Sequence, residues 1–417
     1  RCIWNPILQD YLKYRTFRKG NRLMRTAIIN GRILLPTRIV KGGVLIIEDD
    51  VIADILPEDA FSGFEGQIID AKGRYVSPGF VDIHTHGAGG SDYMDGDLDA
   101  IIRAAKTHMQ YGATSILPTT LTSSKEELFC LFDQFRQAKK SMQNGPNLLG
   151  LHLEGPYFSY LQRGAQDPRY LKKPQKENYM RILELGDGII KRWSIAPELE
   201  GALEMGRLLR NNGVVCSAGH TDATYEQMVQ AAENGFTHIT HLYSGMSTIV
   251  RKGGFRYAGA LEAGFLIDSM SVEIIADGKH LPESLLRYVC KFKPRDQICL
   301  VTDSMRASGM PEGEYLLGSL RNGTPTIVED GVAKMPDRSG FAGSVATANQ
   351  LVRSMLQCTD LSIVEAVRML TENPARVMNI ADKKGSLNIG RDADVILFND
   401  DISVSLVMIS GRTTVEQ

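Results

Sequence analysis

Five of the chain's eight histidines, His84, His86, His220, His241 and His280, stand at or just past the end of a short apolar run. That is where a fold of parallel strands collects its functional groups. The stretch Gly79-Phe80-Val81-Asp82-Ile83-His84-Thr85-His86-Gly87 closes such a run with an H-x-H pair and passes into a glycine-rich loop. Residues i and i+2 of a strand project to the same side, so His84 and His86 can clamp one metal ion. In Leu151-His152-Leu153-Glu154-Gly155-Pro156 a carboxylate ends a buried run, where a charge is costly unless paired or metal-bound. Glu154 can bind one ion or bridge two; the competing reading is a salt bridge at the strand ends. His152 lies deeper on the same side and reads as a support. Gly219-His220-Thr221-Asp222 and Thr240-His241-Leu242 each bring a further imidazole to a strand end, and Val301-Thr302-Asp303-Ser304 brings an aspartate. Asp303 can touch a metal and its water together, as suits a general base that later returns the proton. His238, inside its run, and His108, in a helical stretch with no partner nearby, read as structural. Imidazole and carboxylate ligands suit zinc, iron or a similar divalent ion, which lowers the pKa of a bound water to about 7 and polarises a carbonyl under attack.

Such groups converge only if their strands end on one rim. Eight runs can serve: Tyr75 to Ile83, Ser115 to Pro118, Leu148 to Leu153, Arg192 to Ala196, Val214 to Ala218, His238 to Thr240, Ser271 to Ile275 and Gln297 to Val301. Amphipathic stretches such as Tyr225 to Asn234 and Glu283 to Lys291 follow most of them. This alternation is the βαβ signature of a parallel sheet, and eight units predict an α/β fold, a (β/α)8 TIM barrel. Shorter β-rich pieces flank it: Arg25 to Ile29, Gly43 to Ile47 and Val51 to Ile55 before, Ala393 to Phe398 and Ser403 to Val415 after. They predict a small β-sandwich domain built from both terminal segments, 24–78 and 381–417, beside a catalytic barrel over 79–380. Residues 1–23 form a basic extension with Arg1, Lys13, Arg15, Arg18, Lys19 and Arg22. It lacks the apolar core of a signal peptide and reads as sequence ahead of a natural start at Met24, with a basic targeting segment as the alternative.

The bulk numbers narrow the function classes. A chain of 417 residues exceeds one ordinary compact domain and suits a large barrel with a companion. The net charge of -2 lacks the basic excess of a nucleic-acid or membrane-surface protein. There is no apolar run of about 18 residues, so no membrane-spanning helix is expected. Cys2, Cys130, Cys216, Cys290, Cys299 and Cys358 form no C-x-x-C pair, which argues against a zinc ribbon and fits a reducing, cytoplasmic setting.

The Gly79–Gly87 stretch, Glu154, His220, His241 and Asp303 together resemble the amidohydrolase superfamily. More closely, His152-Leu153-Glu154-Gly155-Pro156, Gly219-His220-Thr221, Thr240-His241-Leu242-Tyr243, Asp277-Gly278-Lys279-His280, Val301-Thr302-Asp303-Ser304 and Ala342-Gly343-Ser344 resemble its N-acetylglucosamine-6-phosphate deacetylase family, from about Met24 to the end of the chain. The resemblance implies hydrolysis of the sugar's acetamide to acetate and glucosamine 6-phosphate, by a metal-activated water with Asp303 as base and then acid. It implies Glu154, His220 and His241 as the recurring ligands and His84 and His86 as the extra pair of two-metal members, hence one or two ions. Many amidohydrolases use a carboxylated lysine on the fourth strand, where here the third-strand glutamate serves. For the substrate it implies Ala165, Gln166, Ser244, Gly245, Arg251, His280, Phe341, Ala342 and Gly343. Some members carry histidine where Gln166 stands; glutamine can donate to a carbonyl but cannot carry a proton. Ser244-Gly245-Met246 replaces the usual Asn-Ala-Met. The family's phosphate arginine, often lent by a neighbouring subunit of a homodimer, falls near Arg251, and an apparent one-residue insertion makes Lys252 and Arg256 rivals. Two readings compete: an amidohydrolase for another N-acyl compound or a cyclic amide, and a scaffold without activity. The third-strand glutamate and the Asp277–His280 motif oppose the first. The full set of ligands and base opposes the second.

Overall fold

The computed structural model describes residues 24–416; the basic extension before Met24 lies outside them. Eight parallel strands carry the centre of the chain: β1 (Phe80–Thr85), β2 (Ala113–Pro118), β3 (Leu151–Glu154), β4 (Ile190–Ile195), β5 (Val215–Ala218), β6 (Phe236–Ile239), β7 (Ser271–Ile274) and β8 (Ile298–Leu300). Strands β3 to β8 pair in sequence order as one six-stranded parallel sheet, and β1 pairs parallel with β2. Hydrogen bonds pass between the two groups on both sides: Thr120 N–H donates to the His152 carbonyl at 2.9 Å, and Asp303 N–H to the His84 carbonyl at 2.9 Å. Every residue of β1, β2, β3 and β5 is buried, as expected of parallel strands covered on both faces.

The covering helices follow their strands. Helix α1 (Leu98–Gln110) buries Ala100, Ile101, Ala104, Ala105, His108 and Met109, the i, i+3, i+4 stripe of an amphipathic helix. Helix α2 (Lys125–Ser141) follows β2 and α3 (Lys176–Leu185) follows β3. Helix α4 (Ala202–Asn211) follows β4, and α5 (Tyr225–Glu233) follows β5 behind a Thr224/Gln227 capping box that satisfies its free N-terminal donors. Helix α6 (Ala260–Leu266) follows β6, and α7 (Glu283–Phe292) follows β7 and packs Leu286, Val289 and Cys290 inward. One large core joins these stripes to the strands through Phe80, Ile116, Trp193, Phe236, Val272 and Leu286.

The terminal segments form one eight-stranded hydrogen-bonded sheet. Its order is Arg412–Glu416, Val404–Ile409, Val395–Phe398, Tyr75–Pro78, Arg25–Leu34, Ile39–Glu48, Val51–Pro57, with Gln67–Asp70 also against Arg25–Leu34. It has its own core of Ile28, Ile33, Leu45, Val76, Val395 and Leu397. The expected strand Tyr75 to Ile83 is therefore two strands: Tyr75–Pro78 belongs to this sheet and Phe80–Thr85 to the parallel set. Gly79 is the joint, and a Cβ there would lie 2.1 Å from Thr114 Oγ1, so no side chain fits. The run Leu148 to Leu153 is likewise interrupted, into Asn147–Leu148 and Leu151–Glu154. After β8 an antiparallel insert (Gly313–Leu317, Thr324–Glu329, Val332–Lys334) interrupts the alternation. Buried Arg306 ties it down by donating to the Leu316 carbonyl at 2.7 Å and pairing with Asp95 at 2.8 Å.

Candidate metal centre and active site

The parallel register brings the strand ends level: Glu154 pairs with Ser194, Ile195 with Ala218, Ala218 with Ile239, Ile239 with Val272 and Ile274 with Leu300. His220, His241 and Asp303 follow two or three residues beyond β5, β6 and β8. Val81 and Ile83 pack in an apolar cluster with Leu117, Val301 and Met378, and a register irregularity between Asp82 and Thr85 comes just before His84 and His86 enter the site. His220, His241 and Asp303 take φ values of 47°, 24° and 45°. This left-handed region costs a non-glycine residue about 1–3 kcal/mol and persists only where surrounding structure enforces it. Three such residues on one rim mark where the chain turns sharply to aim side chains inward.

Six groups meet there. His84, His86 and Asp303 form one buried triplet and Glu154, His220 and His241 another. Asp303 Oδ1 lies 3.1 Å from His86 Nε2 and 3.3 Å from His84 Nε2. Glu154 Oε1 lies 3.1 Å from His241 Nε2, 3.2 Å from His220 Nε2 and 3.4 Å from His84 Nε2, and its Oε2 is 3.5 Å from His86 Nε2. Glu154 thus stands between the triplets, as a bridging carboxylate would.

The donor set fits divalent cations. His220 Nδ1 faces the Gln162 carbonyl at 2.9 Å and His241 Nδ1 the Ser244 carbonyl at 3.1 Å. With their protons on Nδ1, both rings turn Nε2 lone pairs toward Glu154 and toward each other, 3.1 Å apart. Lone pairs so gathered repel unless a cation or shared protons lie among them. His84 Nε2 is buried with no hydrogen-bond partner. Ligand atoms each about 2.0–2.2 Å from one tetrahedral cation stand about 3.3–3.6 Å apart, close to the spacings found. Without a cation the site holds protons instead. Burial disfavours charge on His86 and His241, but Asp303 and Glu154 on the first and Glu154 on the second outweigh it, raising each to about 9. Burial likewise works against ionised Asp303 and Glu154, yet the surrounding imidazoles hold both below the usual carboxylate range.

A cavity of about 260 Å³ opens over these groups, and Ala165, Gln166, Ser244, Gly245, His280, Phe341 and Gly343 line it, with Leu121 and Leu317. Ala342 is buried behind this wall. Gln166 reaches the metal group itself: its Nε2 donates to Glu154 Oε2 at 2.6 Å while its Oε1 accepts from Thr122 N–H at 2.8 Å. Gly245 has φ 56°, and a Cβ there would lie 2.9 Å from both His220 Nδ1 and the Gln162 carbonyl, so a side chain at this position would strain the loop or shift the His220 ring. Arg251, Lys252 and Arg256 sit on an exposed hairpin of Val250–Lys252 and Phe255–Tyr257 and are absent from the cavity wall.

Several supports escaped the sequence reading. His108, expected to lack a partner, hydrogen-bonds Thr85 Oγ1 at 2.7 Å and the Gly87 carbonyl at 3.2 Å, so it braces the H-x-H strand end from α1. Asp277 holds His280 Nδ1 at 2.7 Å, and Thr302 Oγ1 donates to Asp82 at 2.6 Å. His152 and His238 are satisfied within the core, by Ser194 Oγ at 2.7 Å and Ser271 Oγ at 2.6 Å. The three-residue Asp277–His280 spacing was a usable signal; the Thr85–His108 pairing had none, because it joins two elements.

Comparison with known proteins agrees with this arrangement. The amidohydrolase family model matches residues 75–414. An N-acetylglucosamine-6-phosphate deacetylase of Lysinibacillus sphaericus is 34% identical over 84% of this chain and 87% of its own. An N-acetylgalactosamine-6-phosphate deacetylase of Escherichia coli O157:H7 is 30% identical over 88% of this chain and 93% of its own. The solved structure of a mutant N-acetyl-D-glucosamine-6-phosphate deacetylase of Mycobacterium smegmatis, in complex with N-acetyl-D-glucosamine-6-phosphate, superposes with a TM-score of 0.85 at 30% identity, covering 95% of this chain and 100% of that one. With histidines and carboxylates gathered at the ends of parallel strands and a family match over most of its length, the chain belongs to the amidohydrolase family.

Proposed function

We propose that this protein is a metal-dependent deacetylase of N-acetylglucosamine 6-phosphate, releasing acetate and glucosamine 6-phosphate. The observation that carries the reading is Asp303 among buried imidazoles at the floor of a cavity wide enough for a sugar. Glu154, His220 and His241 would hold one divalent ion, zinc or iron, and His84, His86 and Asp303 a second. Such a cation lowers the pKa of a water to about 7 and polarises the carbonyl under attack. Asp303, kept ionised by its imidazole neighbours despite burial, takes a proton from the attacking water. The water oxygen bonds to the acetyl carbon, the carbon–nitrogen bond breaks, and Asp303 returns the proton to the amine nitrogen. Gln166 steadies Glu154 and keeps a second amide N–H for the substrate carbonyl. Asp277 fixes the tautomer of His280, whose ring lies 4.9 Å from Phe341 at the cavity mouth.

The reading extends to organisation. Hydrogen bonds on both sides of the β1–β2 pair support closure of the eight strands into a (β/α)8 barrel over 79–380, and the single sheet of the terminal segments 24–78 and 381–417 supports a companion β domain, a β-sandwich if that sheet folds over its own core. A homodimer would let the hairpin bearing Arg251, Lys252 and Arg256 reach a partner's sugar phosphate, since these residues are absent from their own cavity wall. No described helix is long and apolar enough to cross a membrane, and the five described cysteines are free, which supports a cytoplasmic setting.

The test is acetate release by zinc-loaded protein from N-acetylglucosamine 6-phosphate, beside the unphosphorylated sugar and the galactosamine isomer. Preference for the phosphorylated glucosamine substrate supports the proposal. Metal-loaded protein that releases acetate from none of them sinks it. The E. coli relative named for the galacto sugar is the specific reason to include the isomer.

A further inference from the structure

Beneath the histidines lies a buried ion pair that the chemistry above does not use. Arg192 in β4 and Glu273 in β7 are both fully buried. Arg192 Nη1 donates to Glu273 Oε2 at 2.6 Å. Its remaining donors reach Ser217 Oγ at 2.9 Å, Thr240 Oγ1 at 3.1 Å and the Ile83 carbonyl at 3.2 Å. Desolvating two charges can cost more than their attraction returns, and apolar residues often replace such pairs without loss. Stability is therefore a weak reason for this one.

The geometry supplies a better reason. With Oε2 engaged by Arg192, and by His238 Nε2 at 3.4 Å, the other oxygen is left for the rim. Glu273 Oε1 lies 2.6 Å from His84 Nδ1 and accepts the His241 backbone N–H at 3.0 Å. A carboxylate at that position keeps the His84 proton on Nδ1. The Nε2 lone pair then faces Glu154 and Asp303 at 3.4 and 3.3 Å and has no hydrogen-bond partner of its own. The other ring of the pair has no such brace, for His86 Nδ1 is buried without a partner. His241 is held differently, since Glu273 touches only its backbone while the Ser244 carbonyl orients its ring.

We infer that Glu273, itself anchored by Arg192, is a positioning residue that fixes the tautomer and plane of His84 and thereby sets the affinity of the His84–His86–Asp303 group for a divalent cation. The inference rests on the metal-centre reading above. In Glu273→Gln the carbonyl oxygen stays with Arg192 and the amide NH2 turns toward His84, which drives the His84 proton to Nε2 and blocks that ligand atom.

The experiment is zinc binding to the full chain by equilibrium dialysis with elemental analysis, comparing wild type, Glu273→Gln, His84→Gln and the double variant. Losing an outer partner of a metal-bound histidine weakens binding about 10–100-fold. That loss is expected for one of two ions in Glu273→Gln, with a smaller effect on the other, whose ligand His241 loses a backbone acceptor, and no further weakening of the first ion when Glu273→Gln is added to His84→Gln. Cooperative thermal melting certifies that each variant is folded. A folded Glu273→Gln protein binding both ions within twofold of wild type overturns the inference. So does an equal further loss in the His84→Gln background, or a wild type that binds only one ion. Should Glu273→Gln not fold, long-range proton–nitrogen NMR of histidine-labelled wild type decides instead. The resonances absent from His84→Gln should show the Nδ1–H tautomer, and the Nε2–H tautomer refutes the proposal. Acetate release enters none of these readouts. A chain that binds two ions in a Glu273-dependent way but deacetylates nothing keeps this inference and loses the deacetylase reading.

Discussion

Replacing Asp303 by asparagine isolates the proton transfer from everything else at the site. Asparagine has nearly the shape of aspartate, so the backbone bond from residue 303 to the His84 carbonyl, 2.9 Å long, is retained, as is the one accepted from Ser344 N–H at 2.8 Å. What disappears is the charge on Oδ1, which lies 3.1 and 3.3 Å from His86 and His84 Nε2, and with it the carboxylate proposed to take a proton from water and return it to the amine. A positioned general acid–base is worth about 10²–10⁴ in rate, which is about 3–5 kcal/mol at about 1.4 kcal/mol per tenfold. The sugar contacts proposed for Gln166, His280 and Phe341 are untouched, so kcat should fall by that factor while KM stays within about threefold. Because Asp303 also belongs to a ligand triplet, turnover must be expressed per bound zinc, with metal content and acetate release measured on the same sample. A fully metal-loaded Asp303→Asn protein turning over within tenfold of wild type refutes the role. A loss recovered simply by raising zinc would make Asp303 a ligand and nothing more.

Three other expectations follow from the same geometry. His86 and His241, each raised to about 9 in the cation-free site, hold protons at every pH below that value and must release them on binding. Apparent zinc affinity should therefore climb from pH 6 to pH 9 and then level, with calorimetry in buffers of different ionisation heat counting the protons; a flat profile contradicts the geometry. Arg251→Ala should raise KM about 10–100-fold for the phosphorylated sugar, the worth of a charged hydrogen bond of about 1.5–3 kcal/mol, and leave the unphosphorylated sugar unaffected. Should Lys252→Ala or Arg256→Ala show that effect in its place, the phosphate contact belongs to the other residue. Burial depresses His108 from 6.5 to about 4, so its neutral form stabilises the fold fully above pH 6.5 and loses that contribution as pH falls toward 4. The loss is about 3 kcal/mol at 1.36 kcal/mol per pKa unit. Urea unfolding at pH 7.5 and 4.5 should show a shallower pH dependence in His108→Gln than in wild type, and an equally steep one would count against it.

The chemistry was legible in the sequence because its signals are local. H-x-H at i and i+2 places two imidazoles on one side of any strand, and a histidine, glutamate or aspartate ending an apolar run declares itself without knowledge of its neighbours. The ligand and base candidates, His84, His86, Glu154, His220, His241 and Asp303, needed only that rule and the βα alternation, and the substrate-side candidates came from motif resemblance alone. What period and composition do not carry is partnership between distant strands. Glu273 meets His84 across 189 positions and Arg192 across 81, and nothing in either stretch names the other; only a charge inside an apolar run hints that a partner must exist. The division into two triplets with Glu154 between them, the engagement of Gln166 with that glutamate, the bracing of Thr85 by His108 and the placing of Arg251 off the cavity wall all depend on which strands lie side by side and in what register. The break at Gly79 likewise needed Thr114 from another strand to be seen. Sequence by itself determined which residues can do chemistry and which way each strand turns them. Tertiary structure decided which of them meet, because strand order and register, set by the packing of the whole core, bring distant residues within bonding distance.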